Sequence, residues 1–133
     1  MSKRRSIEVE GFSHGTNPIP AASRVGNIVM TGGVYGLDPA TRAIPPDAAV
    51  QCRLMFANLK RILEAAGASP DDVVKITVWI KNSAVREVIN PEWLAMFPDP
   101  ASRPARHTQQ NENLAGAMLI QCDAMAVITT DVA

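Results

Sequence analysis

Cysteine is scarce: the 133 residues include two, Cys52 and Cys122, and neither has a second Cys or a His at zinc-ligand spacing. That pattern argues against a metal site and a disulfide scaffold. Two thiols in apolar surroundings read instead as small buried hydrophobes, and the compartment expected is the reducing cytoplasm. Excess charge is lacking too. Thirteen basic side chains balance thirteen acidic ones, so no overall field draws the chain to nucleic acid or to an anionic membrane. Aromatic residues make up 5%, which leaves RNA bases no evident stacking platform. No apolar run approaches the ~18–20 residues that span a bilayer. The basic Lys3-Arg4-Arg5 is followed by alternation through Ser6-Ile7-Glu8-Val9-Glu10, so no signal peptide is expected and the cluster reads as a solvated end.

What remains is a chain of one-domain length, 1–133, with 47% hydrophobic and 20% charged residues. Ile7 and Val9 alternate with acids as a first strand would. Ser23–Val25 and Ile28–Thr31 flank Gly26-Asn27 as a hairpin, which closes at Gly32-Gly33. Two adjacent glycines permit positive φ or close approach of a ligand to the backbone. From Asp47 the period changes. Cys52, Met55, Phe56, Leu59, Ile62, Leu63 and Ala66 form a helical stripe that Gly67 ends.

Val74, Ile76, Val78 and Ile80 then alternate with Lys75, Thr77 and Trp79, a strand with one apolar face and one mixed face suited to a subunit interface. A second helical pattern, Val85 to Phe97, restarts at Asn90-Pro91 with Asn90 as its N-cap. Arg106 to Asn111 is extended, Asn113–Gly116 turns, and Met118–Ile128 is a long apolar strand. The fold class expected is α+β, with both helices on one face of the sheet.

The last strand carries the sharpest anomaly. Asp123 is the sole charged residue between Leu114 and Thr130. In a central strand its carboxylate is partly desolvated and needs a cation or hydrogen bonds. Arg106 lies just upstream, and a hairpin through Asn113–Gly116 would set the two strands side by side. Arg106 then either pairs with Asp123 itself or holds a substrate carboxylate while Asp123 handles a water. His107 and His14 are further groups that titrate near neutral pH, and alternation turns His107 away from the face of Arg106.

Several of these segments together resemble the Rid family of reactive-intermediate deaminases, the YjgF/RidA-type proteins. The residues are Asn27-Ile-Val-Met-Thr-Gly-Gly33, Asn58–Gly67, Val73–Val78, Arg103-Pro-Ala-Arg106 and Ile120-Gln-Cys-Asp-Ala-Met-Ala126. The resemblance covers nearly the whole chain in order. It implies a chorismate-mutase-like, six-stranded mixed sheet with two helices on one face, assembled as a homotrimer with clefts between subunits. It implies cofactor-free, metal-independent hydrolysis of a small imino or enamino carboxylic acid (a 2-imino acid or an aminomuconate-like acid). By position, Arg106 takes the place of the arginine that grips the carboxylate. Asp123 takes that of a water-handling glutamate, and Asn90 and Gly33 those of site-lining residues. Thr108 stands where the family has cysteine, and Ala21 where it has tyrosine. His107 is added as a residue facing a neighbouring subunit's pocket. The other reading is a trimer that binds a small carboxylate without turnover.

Overall fold

The computed structural model describes residues 3–129. Four short strands come first: β1 (Arg4–Ile7), β2 (Ala22–Val25), β3 (Ile28–Thr31) and β4 (Val34–Tyr35). Helix α1 (Ala48–Ala65) leads to β5 (Val73–Ile80). Helix α2 (Ile89–Met96), β6 (Ala105–Gln110) and β7 (Ile120–Val127) complete the chain. The seven strands form one sheet in the order β1-β2-β3-β7-β5-β6, with β4 paired to β7. Because β5 occupies the other edge of β7, β3 and β4 share one lane, interrupted at Gly32-Gly33. The sheet thus has six lanes, as expected, but one more strand than expected. At the interruption the Ala124 N–H donates to Thr31 Oγ1 at 3.0 Å, so a side chain replaces the missing backbone partner.

Helix α1 forms where the sequence placed it. The Asp47 side chain accepts from the Ala49 N–H at 2.8 Å, capping the first turn, and Gly67 leaves the last turn at φ +86°. Its apolar stripe (Met55, Leu59, Ile62) packs on Ile76, Val78, Ile120 and Cys122 of the sheet. Two polar side chains are buried in that stripe. Gln51 Nε2 donates to the Pro45 and Ala117 carbonyls while its Oε1 accepts from the Leu119 N–H, and Asn58 Nδ2 donates to the Tyr35 and Leu37 carbonyls. They moor β4 and its loops to α1. The contact is so close that a Cβ on Gly36 would lie 2.4 Å from the Gln51 carbonyl oxygen, so only glycine fits.

Several local expectations need correction. The first strand ends at Ile7, and Val9 makes an isolated bridge with Phe12. In β5 the register shifts between Val73 and Lys75. This turns Val73 inward and leaves Val74 51% exposed, against the alternation read from sequence. The segment before α2 is a 3₁₀ turn, Ser83–Val88, and Asn90 and Pro91 lie inside the first turn of α2 rather than capping it. Pro91 is tolerated there because early helical N–H groups lack intrahelical acceptors.

The largest correction concerns β6 and β7. No hairpin joins them: β6 pairs with β5 in parallel, and β7 runs antiparallel between β5 and the β3/β4 lane. The α2 crossover makes β6 a parallel neighbour of β5 and leaves it at the edge. Ile76 is opposite Arg106 and Thr77 is opposite both His107 and Asp123. Ile76 is a fully buried residue under the helices, whereas Thr77 is half-buried on the other face. Arg106 and Asp123 therefore leave opposite faces of the sheet, two lanes or ~10 Å apart. They do not pair within one chain.

Candidate active site

The edge strand β6 presents Arg106 and Thr108 on the helix side and His107 on the open side, by simple alternation. The Arg106 guanidinium lies 4.7 Å from the centre of the Trp93 ring, and its Nη2 donates to Asn90 Oδ1 at 3.0 Å. Trp93 is buried at the α2–sheet junction and packs edge-on against Phe97, so the ring is a fixed platform. Arg106 Nη1 is buried and has no hydrogen-bond partner among the described residues. Burial and the nearby Arg86 charge push the guanidinium below its ordinary pKa. A planar donor fork with one arm anchored and one arm unsatisfied is suited to a carboxylate. The residue missing from the expected capping role, Asn90, is accounted for here: its carbonyl orients Arg106.

Asp123 sits in the middle of a central strand, half-buried, as the sequence implied. Its compensating partner is not a cation. Trp79 Nε1 donates to Asp123 Oδ2 at 2.9 Å across the diagonal of the β5–β7 pair. Thr77, Asp123 and His107 share one row of the open face, with His107 exposed at the edge.

Gly33 lies on the far side of β7, between β3 and β4. A Cβ there would come within 2.8 Å of the Gln121 side-chain amide, which packs directly against the glycine. Gln121 was not singled out from the sequence. Its position two residues before Asp123, on the same face, is the signal that could have found it. The Gly33 carbonyl accepts from His14 Nε2 at 2.7 Å. Between Gly33 and Arg106 stand β7 and β5, so within one chain the glycine and the guanidinium are three lanes, ~14 Å, apart. The chain thus brings Arg106 together with Asn90, and Gly33 with Gln121, as two separate clusters.

Among the described residues, no group of three or more His, Cys, Asp or Glu side chains could hold a metal ion. Cys52 and Cys122 are free and buried. Burial, with the Glu92 charge, raises Cys52 to about 12, and burial, with the Asp123 charge, raises Cys122 further. Neither is a nucleophile near neutral pH.

Residues 14–128 match the family described as Endoribonuclease L-PSP. The chain is 33% identical over 128 residues to the 2-iminobutanoate/2-iminopropanoate deaminase of Escherichia coli K12, covering 96% of this chain and 98% of that protein. It belongs to the YjgF/RidA family. The YjgF gene product of E. coli superposes with a TM-score of 0.83 at 31% identity, covering 92% of this chain and 98% of that one. E. coli TdcF, solved with bound serine, gives 0.85 at 29% identity, covering 94% and 99%. The α+β domain with two helices and a mixed sheet is thus the fold of YjgF-like structures, and the E. coli relative at 33% identity is named an imine deaminase. No helix among the described residues is long and apolar enough to cross a membrane.

Proposed function

We propose that this YjgF/RidA-family protein is a cytoplasmic hydrolase that deaminates small 2-imino or 2-enamino acids, without metal or cofactor, in clefts between the subunits of a homotrimer. The observation that carries the reading is the unsatisfied arm of Arg106. Buried polar groups in native proteins are nearly always bonded, and an orphaned one asks for an explanation. A substrate carboxylate supplies it, with the fork already held by Asn90 and Trp93. Support for the substrate class comes from the name of the E. coli relative and from the serine bound to TdcF, since serine carries a carboxylate beside an amino group.

In this reading Arg106 binds the carboxylate, with Asn90 and Thr108 beside it. A neighbouring subunit supplies the opposite side of the cleft, its Gly33 forming the wall and its Asp123 orienting the attacking water, with His107 at the rim. Water adds to the imine carbon to give a carbinolamine, nitrogen takes up a proton, and ammonia leaves as the C=O forms. A well-placed acid or base typically contributes ~10²–10⁴-fold, and little else is needed for substrates that already hydrolyse in water. The two clusters, ~14 Å apart in one chain, are what a cleft shared between subunits requires.

The test is loss of freshly generated 2-iminobutanoate or 2-iminopropanoate, followed with and without the protein. Faster loss with protein supports the reading, and equal rates across several side chains overturn it. A second reading, a trimer that binds small carboxylates without turnover, draws on one observation. The Asp123 carboxylate is engaged by Trp79 and lies on the face opposite Arg106, so it is less available for water.

A further inference from the structure

The loop between β1 and β2 carries a histidine that the proposed chemistry does not use. His14 Nε2 lies 2.7 Å from the Gly33 carbonyl oxygen. A carbonyl only accepts, so Nε2 carries the hydrogen and donates. Among the described residues Nδ1 is buried with no hydrogen-bond partner, so Nε2 makes the ring's one recorded hydrogen bond. The ring is held by its neighbours: Phe12 meets it edge-on at 5.5 Å between centroids, and Tyr35 lies at 6.3 Å. Tyr35 in turn donates through its hydroxyl to the Ser13 carbonyl at 2.6 Å, which fixes the backbone beside His14.

Gly33 needs such a clamp. It lies in the gap between β3 and β4, outside both strands, and glycine has more conformational freedom to lose than any other residue. Two contacts define it, Gln121 packing on its Cα side and His14 holding its carbonyl, while its chain neighbour Val34 pairs with Cys122. Of these, only the His14 bond comes from outside the sheet.

We infer that His14 is a positioning residue, which donates from Nε2 to the Gly33 carbonyl and thereby fixes the glycine wall of the carboxylate cleft. This rests on the reading of Gly33 as part of that cleft. The role belongs to the donor atom rather than to the bulk of the ring, and that makes it separable from simple packing.

Three variants of the full chain test it. His14→Gln carries an amide N–H at about the reach of Nε2. His14→Asn reaches only to about the position of Nδ1, and His14→Leu keeps bulk without a donor. Each is read by kcat and KM on 2-iminobutanoate, by titration with 2-oxobutyrate, and by the NMR amide signals of Gly33 and Val34. The expected result is that Gln stays within about twofold of the parent. Asn and Leu should raise KM and weaken 2-oxobutyrate binding by about three- to tenfold, the worth of one hydrogen bond, and displace both amide signals. Should Leu unfold the loop, the smaller Asn change still reads the donor. Unchanged KM, binding and amide signals in Asn overturn the inference, as does Gln falling as far as Leu. If the parent protein turns over no imine, the deaminase reading fails alone, and the amide signals and 2-oxobutyrate titration still decide the role of His14.

Discussion

Arg106 and Asn90, sixteen residues apart in the chain, meet at 3.0 Å above the Trp93 ring, so one guanidinium is oriented by a helix before any ligand arrives. Pre-organisation of this kind removes ordering cost at the moment of binding. Lysine at position 106 keeps the charge but has no fork, and cannot bond Asn90 and a carboxylate in the same plane. Arg106→Lys should raise KM for 2-iminobutanoate about ten- to a hundredfold, the worth of a charge-assisted hydrogen bond. Steady-state kinetics beside a thermal melt check this, and an unchanged KM would remove Arg106 from the site.

Asp123 separates the enzyme from the binding module. Asparagine still offers Trp79 Nε1 an acceptor, so the 2.9 Å bond survives and the fold should be unaffected. Asp123→Asn should lower kcat by about 10²–10⁴-fold while 2-oxobutyrate affinity is kept. Isothermal titration and the imine assay on the same preparation read both. Retained turnover would take Asp123 out of the chemistry.

The elements that positioned this site were unequally legible. Helix α1 was plain because its apolar stripe and its Gly67 terminator agree with each other; the Asp47 cap came with the structure. The β6–β7 error had a physical cause. A turn at Asn113–Gly116 between two extended runs looks like a hairpin, and local sequence says nothing of which strand a crossover has already paired. Composition did hold the answer. Arg106–Gln110 is too polar for anything but an edge, while Ile120–Val127 is apolar enough to need a neighbour on each side. β4 was too short to leave a signal. Gln51 and Asn58 were passed over because polar residues suggest an exposed face. Their spacing of seven, on the same stripe as Met55 and Ile62, puts them inside.

Asn58 gives a stability prediction. Leucine in its place is similar in bulk but removes the donor 2.9 Å from the Leu37 carbonyl, and one of the two donors to the Tyr35 carbonyl, which keeps the Leu37 N–H at 2.9 Å. A buried carbonyl stranded as that of Leu37 would be costs about 1–3 kcal/mol. Asn58→Leu should therefore lower the urea midpoint clearly, with the m-value unchanged. A midpoint equal to the parent's would show that other groups satisfy these carbonyls.

The buried thiols predict alkaline behaviour. Burial raises Cys52 from 9.0 to about 12, so the folded state holds this proton more tightly than the unfolded chain does. The resulting stability is present in full below pH 9 and is lost as pH rises from there towards 12. Cys122, shifted in the same direction, adds to the slope. Urea midpoints measured from pH 7 to 11 should fall above pH 9, and a Cys52→Ala, Cys122→Ala variant should show a flatter decline. An identical slope in that variant would assign the alkaline loss to other groups.

The open face of the sheet bears on assembly. Both helices cover the opposite face, so in a lone chain Lys75, Thr77 and Trp79 of β5 and Met125 and Val127 of β7 are covered by no helix and stay half-buried. Ile28 and Met30, their neighbours on β3, are 46% and 54% exposed. Trp79, Met125, Val127, Ile28 and Met30 are thus apolar neighbours on this face, beside Asp123 and Lys75, a mixture that suits an interaction face. In the proposed trimer a closed ring of copies would bury that strip and bring Gly33 of one chain towards Arg106 of the next. Three copies of 14.3 kDa are expected by light scattering at micromolar concentration. Met30→Lys places a charge in the strip without touching the helix-side core, so it should yield folded monomer and, with the shared cleft gone, no imine turnover. A parent protein that stays monomeric, or a Met30→Lys monomer with full activity, would refute the shared site.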